Sequence, residues 1–184
     1  MTAREFDPLR LDVAAFAKEA ARLEGRWPLA QLDRLAGATV ADAASTVASE
    51  VAWTARGERR LVHAGESQVW LHIGAATCLA LECQRCLKPM DVPLQFERSL
   101  RFVHGEDAAA QIDAQSEDDV LALTRALDLR ELVEDELLLA LPLVPRHEAC
   151  PVPLPIGTGD DGAGDEKPNP FAALAALKRP GSLN

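Results

Sequence analysis

The chain has no tyrosine, and only 4% of its 184 residues are aromatic. Single-stranded nucleic acid is commonly held by stacking each base on an aromatic ring, so that mode of binding is poorly provided for. Positive charge is also scarce: 19 Lys and Arg stand against 29 Asp and Glu, a net charge of −10. A phosphate backbone is gripped mainly by cations that release counterions, so the chain as a whole repels RNA. Any nucleic-acid role needs a local basic spot or a protein partner. The sequence Arg56, Arg59, Arg60, Lys88 and Arg98 offers a small set for such a spot. No apolar run reaches the roughly 20 residues of a membrane span. The start, Met1 to Asp7, lacks the apolar stretch of a signal peptide. A cytoplasmic protein with no membrane partner is expected. No Gly-rich phosphate loop, GxSxG or HExxH occurs, so no enzyme is expected.

Cysteine is rare as well, four in all. Two of them sit in Leu81-Glu82-Cys83-Gln84-Arg85-Cys86, and far downstream His147-Glu148-Ala149-Cys150 repeats the two-residue gap. In the cytosol a CxxC is more often a metal or redox motif than a structural disulfide. Three sulfurs and one imidazole suit tetrahedral Zn²⁺, so Cys83, Cys86, His147 and Cys150 are the candidate metal ligands and Zn²⁺ the candidate cofactor. The long separation is a weak objection. Lengthening a loop from about 15 to about 60 residues costs roughly 1.2 kcal/mol, against about 10–16 kcal/mol for structural zinc in peptides. Two other readings stand beside this one: free reduced thiols, and a CxxC thiol–disulfide redox protein. The redox case prefers a CxxC at a helix N-terminus, which lowers the thiol pKa; here the motif follows a strand pattern and precedes prolines. Cys78 alternates with a different set and reads as a buried apolar residue. His63, His72 and His104 fall in strand patterns without a catalytic motif and read as surface or satisfied residues.

The organisation is that of a single α+β domain over residues 1–150, an antiparallel β-sheet with flanking helices. Residues 11–36 read as helical, with Val13, Phe16, Ala20 and Leu23 at helical spacing, a stop at Gly25 and a restart at Pro28. Residues 39–104 are β-rich. Val47, Val51 and Trp53, then Val69, Leu71 and Ile73, then Thr77, Leu79 and Leu81, then Val92, Leu94 and Phe96 alternate, with Gly57, Gly65 and Gly74 read as turns or bulges. The CxxC then lies at a strand–strand turn, the place for a zinc knuckle. Residues 105–120 form an acidic loop. Residues 128–141 form a helix capped by Asp128 with Glu131 three on. Its end, Leu137 to Leu141, is apolar all round and reads as buried. Residues 151–168 are a linker, and 169–179 a short C-terminal helix too brief to stand alone.

Three blocks carry a further signal: Leu81 to Cys86, Leu132 to Pro145, and Lys167-Pro168-Asn169-Pro170-Phe171-Ala172-Ala173-Leu174. Together they resemble the YceD family, the large ribosomal RNA subunit accumulation proteins of bacteria, over roughly residues 8 to 179. The resemblance implies a non-enzymatic role in synthesis, processing or stability of 23S rRNA, and so in large-subunit biogenesis. Many relatives look as if they carry a second CxxC where this chain has His147-x-x-Cys150. That departure either keeps four ligands with one nitrogen for sulfur, or marks a site that has lost ligands. The expected partner is a ribosomal protein or pre-ribosomal particle, since such proteins are basic and steering by charge speeds encounter. The partner-binding candidates are Glu131, Glu134 and Asp135 on one helix face, and Phe171, Leu174 and Leu177 on another.

Overall fold

The computed structural model describes residues 5–40, 50–62 and 67–151. All of them belong to one compact unit. Five strands form one sheet in the order β1-β2-β3-β4-β5. They are β1 (Arg22–Pro28), β2 (Glu50–Leu61), β3 (Ser67–Glu82), β4 (Pro89–Val103) and β5 (Asp119–Ala122). The first four are antiparallel neighbours, and β5 runs parallel to the end of β4. Helices α1 (Val13–Lys18), α2 (Asp33–Gly37), α3 (Glu106–Asp113) and α4 (Leu129–Leu139) flank it. The fold is α+β, as expected.

Residues 22–28 correct the helical reading of 11–36. Leu23, Gly25 and Trp27 alternate with Arg22, Glu24 and Arg26, and they pair with β2 from Arg22 opposite Arg56 to Pro28 opposite Glu50. The helical spacing holds only through α1, which Asp12 caps by accepting from Ala15 N at 3.0 Å. Ala20 then takes φ +48°, a left-handed conformation that ends a helix.

Gly57 and Gly74 are not turns. Both lie inside strands, and Val69, Leu71, Ile73, Ala75, Thr77, Leu79 and Leu81 keep one parity through Gly74, so β3 is continuous. Gly57 serves a close approach instead. A Cβ there would stand 2.6 Å from Phe16 O and 2.7 Å from Ala17 Cα, so α1 lies directly on β2. Pro89 and Pro93 pair with Glu82 and Cys78. β5 covers β4 only at Leu100–Val103, so this part of β4 is an edge among the described residues, where a missing N–H is tolerated.

The acidic stretch 105–120 is likewise more ordered than a loop. Glu106 and Asp107 occupy the first turn of α3, where the helix dipole favours them, and Ala109 and Val120 are buried. Asp113 accepts from Val120 N at 3.0 Å and ties α3 to β5.

One face of the sheet, with Val51, Trp53, Leu71, Ile73, Leu79, Leu100 and Phe102, packs against Phe16 of α1, Leu35 of α2 and Leu129, Val133 and Leu137 of α4. Trp27 stacks on Trp53 at 4.4 Å. All three tryptophans are buried. Leu11 and Leu127 exchange backbone hydrogen bonds of 2.8 and 2.9 Å, which fastens the N-terminal segment to the start of α4.

Candidate metal centre

β3 delivers Cys83 to the end of the sheet, and the six residues Cys83 to Lys88 turn the chain back into β4. The turn is closed by Leu87 N donating to Cys83 O at 2.8 Å and Cys83 N donating to Lys88 O at 2.9 Å. Leu87 sits at φ +56°. From the other direction α4 ends, and the segment from Pro142 runs along the turn. Gln84 N donates to Pro145 O at 2.9 Å and pins it there. His147 and Cys150 follow within a few residues.

The outcome is a cluster of four. One ligand atom from each of Cys83, Cys86, His147 and Cys150 lies within 4.8 Å of all the others. A tetrahedron with Zn–S bonds of about 2.3 Å has edges of about 3.8 Å, so the four converge with little left to close. This group could hold a metal ion. All four cysteines are free thiols. Cys83 is fully buried, and the other three cluster members are half-buried.

The surroundings favour thiolate at Cys83. Burial pushes the Cys83 thiol up, but the backbone N–H groups of His147, Arg85 and Cys86 outweigh it and bring it down to about 5. His147 N lies 3.4 Å from Cys83 Sγ. Cys86 goes the other way: burial and the neighbouring Cys150 and Cys83 sulfurs raise it despite the N–H of Lys88. His147 Nδ1 stands 3.4 Å from Cys86 Sγ. Arg85 closes the outside. Its Nε donates to Cys150 Sγ at 3.0 Å, and a terminal nitrogen donates to His147 O at 3.0 Å. No spacing rule pointed to Arg85; its place inside the CxxC was the available signal.

Cys78 is half-buried rather than buried, and burial raises its thiol. It lies away from the four, within β3.

The acidic face on α4 needs correction. Glu134 is buried, and it accepts from the backbone N–H of Arg34 and Leu35 at 2.8 and 3.0 Å and from the Arg34 side chain. Asp135 is bound to Arg34 at 2.6 Å. Of the three acids only Glu131 stands exposed. Leu139 is also 76% exposed, against the expectation of burial; it follows Leu137 and Leu138 onto the far side of the helix. With Leu143 and Val144 it adds exposed apolar surface near the chain's return to the cluster. Phe171, Leu174 and Leu177 lie outside the described residues, as does His63.

The anticipated basic set is scattered. Arg56 and Arg60 bind Glu58 on the open face of the sheet. Arg98 faces the other side and binds Glu136 of α4 at 3.0 Å. His72 is satisfied by Glu58 and Ser99 at 2.7 and 2.8 Å. Among the described residues no helix is long and apolar enough to cross a membrane.

Comparison with known proteins adds a family. The profile of the family described as "Large ribosomal RNA subunit accumulation protein YceD" matches residues 71–178. The Haemophilus influenzae protein of that name is 32% identical over 177 residues, 94% of this chain and 96% of the relative. No solved structure matches. The chain therefore belongs to the family of the large ribosomal RNA subunit accumulation protein YceD.

Proposed function

We propose that this chain acts in its own cell as a non-enzymatic factor for accumulation of large-subunit ribosomal RNA, with a zinc ion at Cys83, Cys86, His147 and Cys150. One observation carries the reading. Two of the sequence blocks that carry the family resemblance, Leu81 to Cys86 and Leu132 to Pro145, meet at the Gln84–Pro145 hydrogen bond, beside the four ligand atoms. A structural zinc has no open coordination position, so its contribution is to fix the β3–β4 turn against the segment after α4. The partner that fits a net charge of −10 is a basic protein of the pre-ribosomal particle, met through exposed acids such as Glu131 and the apolar Leu139, Leu143 and Val144.

Deleting the gene and measuring the ratio of 23S to 16S rRNA, with ribosome profiles on a density gradient, tests the role. A fall in 23S rRNA and in free large subunits, restored by the wild-type gene, is the expected result. Unchanged ratios and profiles would overturn it. Capture from extract, washed at increasing salt, tests the partner; retention of no salt-sensitive basic protein would remove that part alone.

A further inference from the structure

A second constellation lies on the core-facing side of the sheet, beyond its apolar centre. The contact at Gly57 holds the end of α1 on β2. Lys18 is the residue after Ala17 in that contact. Arg59 is two residues beyond Gly57 on the same strand, hence on the same face. Arg59 pairs with Val69, and Val69 with Phe102. His104 stands two residues past Phe102, just beyond the end of β4. Lys18, Arg59 and His104 thus line one open cavity of about 450 Å³, within the range of about 300–1,000 Å³ usual for small-ligand sites.

In a chain with 29 acids, no carboxylate lines this cavity among the described residues. Elsewhere Arg26, Arg34, Arg56, Arg60 and Arg98 have carboxylate partners. Arg101, which also lines the cavity, has Asp118 at 3.9 Å. Lys18 and Arg59 have none among the described residues. Two cations lining one cavity without carboxylate partners of their own repel each other, and a bound anion reverses that. The guanidinium fork and the ammonium point charge suit a phosphate with several oxygens. Val62, Phe102 and Leu123 line the same cavity and give an apolar wall for a base.

We propose that this cavity binds the phosphate group of a nucleotide, free or within an RNA strand, through Lys18 and Arg59 with His104 as a further ring donor. The proposal is independent of the metal cluster.

The experiment titrates the full chain with AMP by calorimetry, and with a short labelled RNA by anisotropy at low ionic strength. Saturable binding of either probe is expected. Lys18→Gln with Arg59→Gln should weaken it at least about tenfold, since both charge-assisted hydrogen bonds to the phosphate are lost. Ala14→Glu, which places a carboxylate in the same cavity while leaving both cations, should weaken it too. Arg146→Gln, remote from the cavity, should not. RNA bound well above AMP identifies a strand as the source; equal affinities identify the free nucleotide. No saturable binding of either probe by the wild type, or binding by the double variant equal to wild type, would overturn the proposal. A chain that fails these titrations but whose deletion still lowers 23S rRNA loses the cavity and keeps the role.

Discussion

Glu134 of α4 caps α2 from across the core: its Oε1 accepts the backbone N–H of Leu35 at 3.0 Å. Residue Leu32, before α2, offers no capping side chain, so the carboxylate supplies what the local sequence lacks. Burial raises the Glu134 carboxyl, but the N–H of Leu35 and the Arg34 guanidinium outweigh it and hold it low. Glu134→Gln leaves buried donors poorly matched and should destabilise the fold by about 1–3 kcal/mol in urea unfolding. Glu131→Gln, on the exposed face of the same helix, should change stability by less than about 0.5 kcal/mol. Equal effects of the two substitutions would refute the capping account.

Acid sensitivity should have a second source on the open face. Arg60 first, and then His72, hold the Glu58 carboxyl down from its ordinary 4.5 to about 2. A carboxyl lowered in the folded state binds its proton more readily when unfolded. Its stabilisation is therefore complete above 4.5 and is lost as pH falls toward 2. Glu58→Gln should flatten the stability–pH curve in that window. A curve of unaltered slope would show that Glu58 does not contribute there.

Two glycines give opposite expectations. Gly57→Ala drives a methyl into the backbone of Phe16 and Ala17, which cannot rotate away. A loss of about 1–3 kcal/mol follows, with α1 displaced from β2. Gly37 has nothing within 4 Å of its would-be Cβ, and alanine there should be neutral or stabilising by up to about 1 kcal/mol. Denaturant midpoints of the two variants decide the matter.

These contrasts show what could be read from the residues and what could not. The CxxC, the HxxC and the strands between them were legible because alternation and spacing are local properties. The meeting of Cys86 with His147 was arguable from ligand chemistry, although the hydrogen bond that secures it, Gln84 N to Pro145 O, involves backbone atoms that any sequence supplies. β1 is hidden in the sequence because Val13, Phe16, Ala20 and Leu23 happen to carry helical spacing into a strand whose own alternation is only seven residues long. Glu134 reads from the sequence as a partner-facing acid because a buried carboxylate and an exposed one look alike until the backbone N–H groups of α2 arrive.

The turn at the candidate metal centre stores a small strain. Leu87 adopts φ +56° while the residue is 66% exposed. A left-handed non-glycine residue costs roughly 1–2 kcal/mol, and little buried surface offsets it here. Leu87→Gly should raise stability by about 0.5–1 kcal/mol after the entropy of glycine is counted. A decrease would mean that Leu87 makes a contact worth more than its strain.

Zinc and Arg85 make the last prediction. Three thiolates and one imidazole around Zn²⁺ leave one net negative charge, and Arg85 is placed against it through Cys150 Sγ and the carbonyl of His147. Protein purified without chelator should contain about one equivalent of zinc by elemental analysis, and Cys86→Ser should contain much less. Below a tenth of an equivalent in the wild type, the metal reading ends and the free thiols or the redox pair take its place. Outer partners of metal ligands typically account for about 10–100-fold in affinity. Arg85→Ala should therefore release zinc to a colorimetric chelator about tenfold faster or more, with the Arg85→Lys variant in between because an ammonium keeps the charge but loses the fork. Release at the wild-type rate from both variants would show that Arg85 orders the loop without acting on the metal.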